Sequence, residues 1–267
     1  MPEISPPAEA AKIPATAPDW QIGGIVRLID QLARITRPEF HGIDRVPTDG
    51  RCLLVGNHTI YGVLDVSFMV AELRKVHGLS VRSLGDHRHW QLPLWGEFLE
   101  QLGAVRGTRE NAGELMRRGE PLLVFPGGAR EVNKRKHEKY KLIWKERIGF
   151  AKLAIEHGYP IVPFAAVGAE EMLEVVADEN TPIYRQIVGL SKRVTGLPLP
   201  SLVRGIGPTP IPKPQKLYFW FGEPIDSAAF RSGGGGGSDA DARGLRDAVK
   251  HDVEGGIEFL LGERGGG

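Results

Sequence analysis

The chain has 267 residues, an apolar fraction of 41% against 25% charged, and a formal net charge of +1. That length and balance describe a globular protein with one sizeable core and exclude a chain disordered throughout. The near-neutral charge excludes a global pull on nucleic acid, and Cys52, the single cysteine, excludes an internal disulfide and suits a reduced, cytosolic setting.

Residues 1–18 are rich in Pro and Ala with no apolar periodicity and read as a disordered lead-in. They lack the basic start and apolar centre of a signal peptide, and no segment carries about 18 uninterrupted apolar residues. From Asp19 the pattern changes. Trp20, Ile25, Leu28, Ile29, Leu32 and Ile35 share one helical face before Pro38, which predicts an amphipathic helix over 19–38. Its apolar face can pack on the domain or lie in a membrane interface with Trp20 at headgroup level.

A single domain is expected over 39–230, where short β-rich runs at 52–55, 81–84, 122–125, 161–166 and 216–221 alternate with helical patterns. This alternation predicts the α/β class: a largely parallel central sheet flanked by helices. Asn111 is expected to cap a helix that stops at Gly119, and a second helix is expected over 147–157 before Gly158. A basic amphipathic helix follows near 182–195, then an irregular loop. A Gly-rich linker spans 231–239, and a closing helix and tail over 240–267 can pack back or float.

Three stretches carry chemistry. In Val55-Gly56-Asn57-His58 an apolar strand ends by delivering an imidazole to the sheet edge where open α/β folds bind ligands. Asp65, seven residues on, can turn back to hold the ring's tautomer; the alternative is a loop histidine and a helix N-terminal charge. In Phe125-Pro126-Gly127-Gly128-Ala129-Arg130-Glu131 a strand runs into glycines that let a ligand approach the backbone, with Arg130 beyond as a donor fork. The alternative is a tight turn whose Arg130 pairs with Glu131 or another acid. The basic run from Lys134 to Lys141 is a solvated face, or meets the phosphates of a coenzyme A donor or anionic headgroups. His87 and His89 lack enough companions for a metal site and read as structural. The Gly-x-Ser-x-Gly elbow, the phosphate loop and the dinucleotide fingerprint are all missing from the sequence.

Taken in order, Gly56-Asn57-His58 with its downstream acid, Gly103-Ala104-Val105-Arg106-Gly107, the Phe125–Glu131 block and Ile161-Val162-Pro163-Phe164 resemble the four blocks of the lysophospholipid and glycerol-phosphate acyltransferase family. The third block, followed by Trp144 and Arg147-Ile148-Gly149-Phe150-Ala151, is more similar to the diacylglycerol and phytyl ester branch. The resemblance implies His58 as general base, Asp65 as the acid that orients it, and Arg106 and Arg130 near the acceptor headgroup. Phe125, Pro126, Gly127, Gly128 and Glu131 would complete the substrate loop, with backbone N–H groups of Gly127 and Gly128 as candidates for an oxyanion. It also implies acyl-CoA or acyl carrier protein as co-substrate, a lipid hydroxyl as acceptor, and neither a bound cofactor nor a metal. The setting it implies is peripheral, on the cytoplasmic face of a membrane, with no nucleic-acid partner.

Two departures stand out. The family's usual first block has four residues between His and Asp, and here there are six. The usual third block reads Phe-Pro-Glu-Gly-Thr-Arg-Ser; here Gly127 replaces the Glu, Ala129 the Thr and Glu131 the Ser. Glu131 is expected to place a negative charge where a phosphate would approach, which favours a neutral acceptor such as diacylglycerol or a long-chain alcohol. An acyl-thioester or lipid hydrolase using His58 on water, and a non-catalytic membrane lipid-binding protein, are the alternative functions.

Overall fold

In a computed structural model of the chain, the described residues are 13–15, 19–59, 64–91, 94–195, 199, 201–233 and 237–266. The helices are α1 (Asp19–Thr36), α2 (Leu64–His77), α3 (Trp95–Gln101), α4 (Arg109–Arg117), α5 (Ala129–Val132), α6 (Gly149–His157), α7 (Ala169–Met172), α8 (Pro182–Thr195) and α9 (Asp239–Gly265). The strands are β1 (Glu39–His41), β2 (Leu53–Gly56), β3 (Arg82–Gly85), β4 (Val105–Arg106), β5 (Leu122–Val124), β6 (Ile161–Val167), β7 (Glu174–Ala177), β8 (Leu202–Arg204) and β9 (Tyr218–Phe221).

Seven strands form one sheet in the order β1-β9-β6-β2-β5-β3-β4, and β7 and β8 pair separately. Every neighbouring pair in the large sheet is parallel except β6 with β9. Side chains alternate across a strand, so the sheet sorts its residues between two cores. Leu53, Val55 and Leu122 face one core with α4, α6 and α9, whereas Cys52, Leu54 and Leu123 face the other with Phe68, Met69 and Leu73 of α2. Burial on both faces explains why the central strands β2 and β6 read as unbroken apolar runs.

The expected α/β sheet is present, with all five expected strands. The further strands β1 and β4 hold only three and two residues, too few to show a period of two. One helix start is corrected: Thr108, not Asn111, caps α4, accepting from Asn111 N–H at 3.1 Å, because the hydroxyl stands one turn earlier. The closing helix packs back. Its N-terminus carries a capping box between Ser238 and Asp241, and Leu245, Val249, Val253, Ile257 and Leu260 form a buried stripe against the sheet.

The expected lead-in lies outside the described residues except for 13–15, where the Pro14 carbonyl accepts from Arg82 Nη2 at 2.6 Å. The side chain of Trp20 and linker residues 234–236 also lie outside them. Along α1, Ile29, Leu32 and Ala33 pack on the second core, and Leu28 and Ile35 are exposed. No helix among the described residues is long and apolar enough to cross a membrane.

Candidate active site at the carboxyl edge of the sheet

After β2 the chain enters α2 on one face of the sheet, whereas after the neighbouring β5 it passes through the short α5 and reaches α6 on the other. Chains that leave adjacent parallel strands toward opposite faces open a crevice beyond the strand ends, the usual ligand position in such folds. His58 follows β2 and Phe125 follows β5, so both stand at that crevice.

Each residue of the Gly-Asn-His run has a separate task. A Cβ at Gly56 would overlap the Phe164 carbonyl, so only glycine fits there. Asn57 is fully buried and its amide imitates a strand partner, donating from Nδ2 to Ala166 O at 2.9 Å and accepting from Ala166 N–H at 2.8 Å. His58 is thereby held at the edge of β6, and its ring stacks on Phe125 with centroids 4.0 Å apart. Burial is the main cause that pushes the imidazole down to about 3, with the charges of Lys134 and His89 adding to it. A neutral ring with a free lone pair is the form a general base needs.

Asp65 is buried in the first turn of α2, where Oδ2 accepts from the Thr59 hydroxyl at 2.8 Å. Burial raises its carboxyl, against the lowering effect of that hydroxyl. Among the described residues no hydrogen bond joins it to His58, and His58 Nδ1 and Asp65 Oδ1 are both buried without a hydrogen-bond partner there. The expected turn at Gly62 lies outside the described residues.

The third block is placed differently from the expectation. Glu131 has no exposed surface; Oε2 accepts from His58 N–H at 3.0 Å and Oε1 from Ile143 N–H at 2.6 Å. Its charge is turned inward, away from any approaching phosphate, because the two backbone donors lie inside. Burial raises its carboxyl, opposed by those donors and by Lys134. Arg130 spends its fork on Glu138 Oε1 at 2.6 Å and on the Asn133 carbonyl at 3.2 Å. Gly128 adopts φ 50°, ψ −146°, a region open to glycine, and its N–H donates to the Phe125 carbonyl at 2.9 Å. That N–H is therefore committed to the turn and does not face an oxyanion; Gly127 N–H remains the candidate. The Pro126 carbonyl accepts from Arg147 Nη1 at 2.6 Å, which ties this loop to the start of α6.

Arg106 ends β4, three strands from β2, or about 14 Å across the sheet at the usual strand spacing. Its guanidinium lies over the Trp90 ring at 5.6 Å. Lys134 corrects the reading of a wholly solvated basic run: its side chain is fully buried and paired with Glu170. No sequence signal separates Lys134 from the other cations of the run, because its burial depends on Glu170, 36 residues later. The run also lines a cavity of about 260 Å³ with Arg135, Lys136, His137 and Lys139. A second cavity, of about 620 Å³, lies at the opposite edge of the sheet around Gly50, Leu79, Arg82 and Pro121, away from His58.

The acyltransferase family model matches residues 37–167, a span that contains His58, Asp65, Arg106 and the Phe125–Glu131 loop. Over those residues the chain carries an acyltransferase-family domain. It is 30% identical over 205 residues to phytyl ester synthase 2, chloroplastic, of Arabidopsis thaliana, covering 70% of this chain and 29% of that protein. Over 125 residues it is 33% identical to the human DGAT1/2-independent enzyme synthesizing storage lipids, covering 47% of this chain and 38% of that protein. It thus spans about a third of the length of these relatives. The crystal structure of the 1-acyl-sn-glycerophosphate acyltransferase PlsC from Thermotoga maritima superposes with a TM-score of 0.52 at 16% identity, covering 91% of this chain and 92% of that one, a likeness of fold.

Proposed function

We propose that the chain moves a fatty acyl group from a thioester donor, acyl-CoA or acyl carrier protein, to a lipid hydroxyl, with His58 as general base. The observation that carries this reading is the placement of His58 at the switch point, ring neutral and fixed by Phe125, with His58 Nδ1 and Asp65 Oδ1 each buried and without a hydrogen-bond partner among the described residues. A donor and an acceptor left without partners are costly, and pairing them on substrate binding would relieve both.

In the reaction the acceptor hydroxyl donates to His58 Nε2. Its oxygen attacks the thioester carbonyl as the proton passes to the ring, and the C–S bond breaks as the tetrahedral intermediate collapses. The imidazolium then returns the proton to the departing thiolate. Asp65 would stabilise the imidazolium through Nδ1–H, and Gly127 N–H is the available candidate for the oxyanion. The basic cavity beside Lys136 and His137 suits the donor's phosphates.

The acceptor we favour is a neutral alcohol. Arg130, the fork that would grip a phosphate, is already closed on Glu138, and a phosphate acceptor would have to displace that carboxylate. The names of the phytyl ester synthase relatives point the same way. We also place the enzyme at an anionic bilayer surface, on the cytoplasmic side. On α8, Ile183, Ile187 and Leu190 project from one face and are exposed, and Arg185 and Arg193 are exposed on the same helix.

The test is incubation of the purified chain with radiolabelled long-chain acyl-CoA or acyl carrier protein and a panel of lysophosphatidate, diacylglycerol, phytol and a long-chain alcohol. A new ester with the neutral acceptors, reduced about 10²- to 10⁴-fold in His58→Ala, is the expected result. Free fatty acid as the only product would replace transfer by hydrolysis, and full activity in His58→Ala would remove the histidine from the chemistry.

A further inference from the structure

We infer that Glu131 is a positioning residue for His58, and that it supplies, from four residues further along the chain, the carboxylate that the family's usual third block carries at the position of Gly127. The inference rests on the reading of His58 as the base and adds to it the group that fixes the base's main chain.

The geometry comes from three observations. First, Glu131 is fully buried and each carboxylate oxygen holds one backbone donor, His58 N–H at 3.0 Å and Ile143 N–H at 2.6 Å. His58 lies two residues past the end of β2, and Ile143 lies in the loop between α5 and α6, so neither donor has a ladder partner to fall back on. Burying a carboxylate is unfavourable unless such donors meet it, and these two supply that match.

Second, Glu131 fills the volume next to Gly127. A Cβ built on Gly127 would overlap Cγ, Cδ and Oε2 of Glu131, and Oε2 is the atom that accepts from His58. A side chain can therefore enter that volume from position 127 or from position 131, not from both. Third, the Gly127 backbone is not in the left-handed region, whereas that of Gly128 is at φ 50°. Position 127 could accept a side chain conformationally, and the three atoms nearest a Cβ there all belong to Glu131. The usual block keeps glycine at the position of Gly128 and has a small Ser at that of Glu131, which is the complementary way to fill one space.

Asn57 pins the same segment to β6 from the other side, so removing the Glu131 carboxylate frees His58 between Asn57 and its ring contact with Phe125. A loss of that hold misplaces the imidazole against a bound acceptor without removing any group that binds substrate.

The experiment compares the wild-type chain with E131A, E131Q, G127E and G127E/E131A. The readouts are kcat and KM for acyl transfer to the accepted alcohol, thermal midpoint, and the amide proton shift of His58 by NMR. E131A is expected to lower kcat about 10²-fold with KM changed by less than about threefold, and to move the His58 amide upfield. E131Q, which keeps the size and one acceptor, falls between, and is the variant to read if E131A does not fold. G127E alone is expected to be poorly folded. G127E/E131A is expected to recover kcat to within about tenfold of wild type and to restore the downfield amide. A His58 amide unmoved in E131A and E131Q, or a double variant no better than the worse single one, overturns the inference. If the amide follows the pattern but His58→Ala retains full transfer, the assignment of the base fails and the placement of Glu131 stands.

Discussion

His58 owes its chemistry to neighbours that withhold a proton from it. Burial, with Lys134 and His89 adding to it, lowers its imidazole to about 3 against 6.5 in an unfolded chain. We therefore expect kcat/KM to stay flat from pH 8 to pH 5, with no inflection near 6.5; a half-loss of rate at pH 6.5 would contradict the lowered value. Stability follows the same linkage. Between about 3 and 6.5 the unfolded chain binds a proton that the folded chain refuses. The His58 contribution is thus neutral above 6.5 and falls as pH drops, by at most about 1.4 kcal/mol per pH unit. Urea midpoints of wild type and His58→Gln across pH 4–8 check it, and the two should converge above pH 7 in their pH dependence. Asn57 belongs to the same scale. Asn57→Ala leaves the Ala166 N–H and carbonyl buried without partners, an expected loss of about 2–4 kcal/mol in unfolding free energy.

At the scale of elements, the loop between α5 and α6 is held by charges that the sequence pattern presents as surface. Lys134 and Glu170 are both fully buried, and Glu170 also accepts from Tyr140 N–H at 2.8 Å. Lys134→Met alone should lower stability by about 3–5 kcal/mol, because it strands the Glu170 carboxylate, whereas Lys134→Met with Glu170→Gln should cost much less. Denaturant titration of the three variants separates these outcomes. The same paired burial explains why sequence reading found the elements better than their contacts. β2, β5, β6 and β9 are apolar runs with turn residues at their ends, so local pattern identifies them. β4 is two residues long and exists only because β3 offers it a ladder, with Leu84 opposite Val105.

For the whole molecule, α9 is the element that completes one side of the sheet. Its stripe at Leu245, Val249, Val253, Ile257 and Leu260 covers a core shared with β2, β6 and α6. Leu245→Ala should cost about 2–5 kcal/mol, read from the urea midpoint. The surface is where local patches outweigh a net charge of +1. Ile183 and Leu190 are 74% and 64% exposed beside Arg185 and Arg193. Sedimentation with vesicles containing anionic lipid should recover the wild-type chain at low salt and lose it for Ile183→Asp with Leu190→Asp. Equal recovery of both proteins would exclude α8 as the docking face.

The sequence by itself determined the fold class, the main strands, the closing helix and the residue that reaches the sheet edge, because these follow from short-range periodicity and from a strand ending in Gly-Asn-His. It also identified Arg130 and Glu131 as members of one loop. Only the tertiary structure decided their direction. Glu131 turns inward because its donors, His58 and Ile143, come from segments 73 residues before and 12 after it. Arg130 closes on Glu138, and Lys134 sinks against Glu170, for the same reason: a charged side chain goes where its partner is, and long-range packing sets the partner's place.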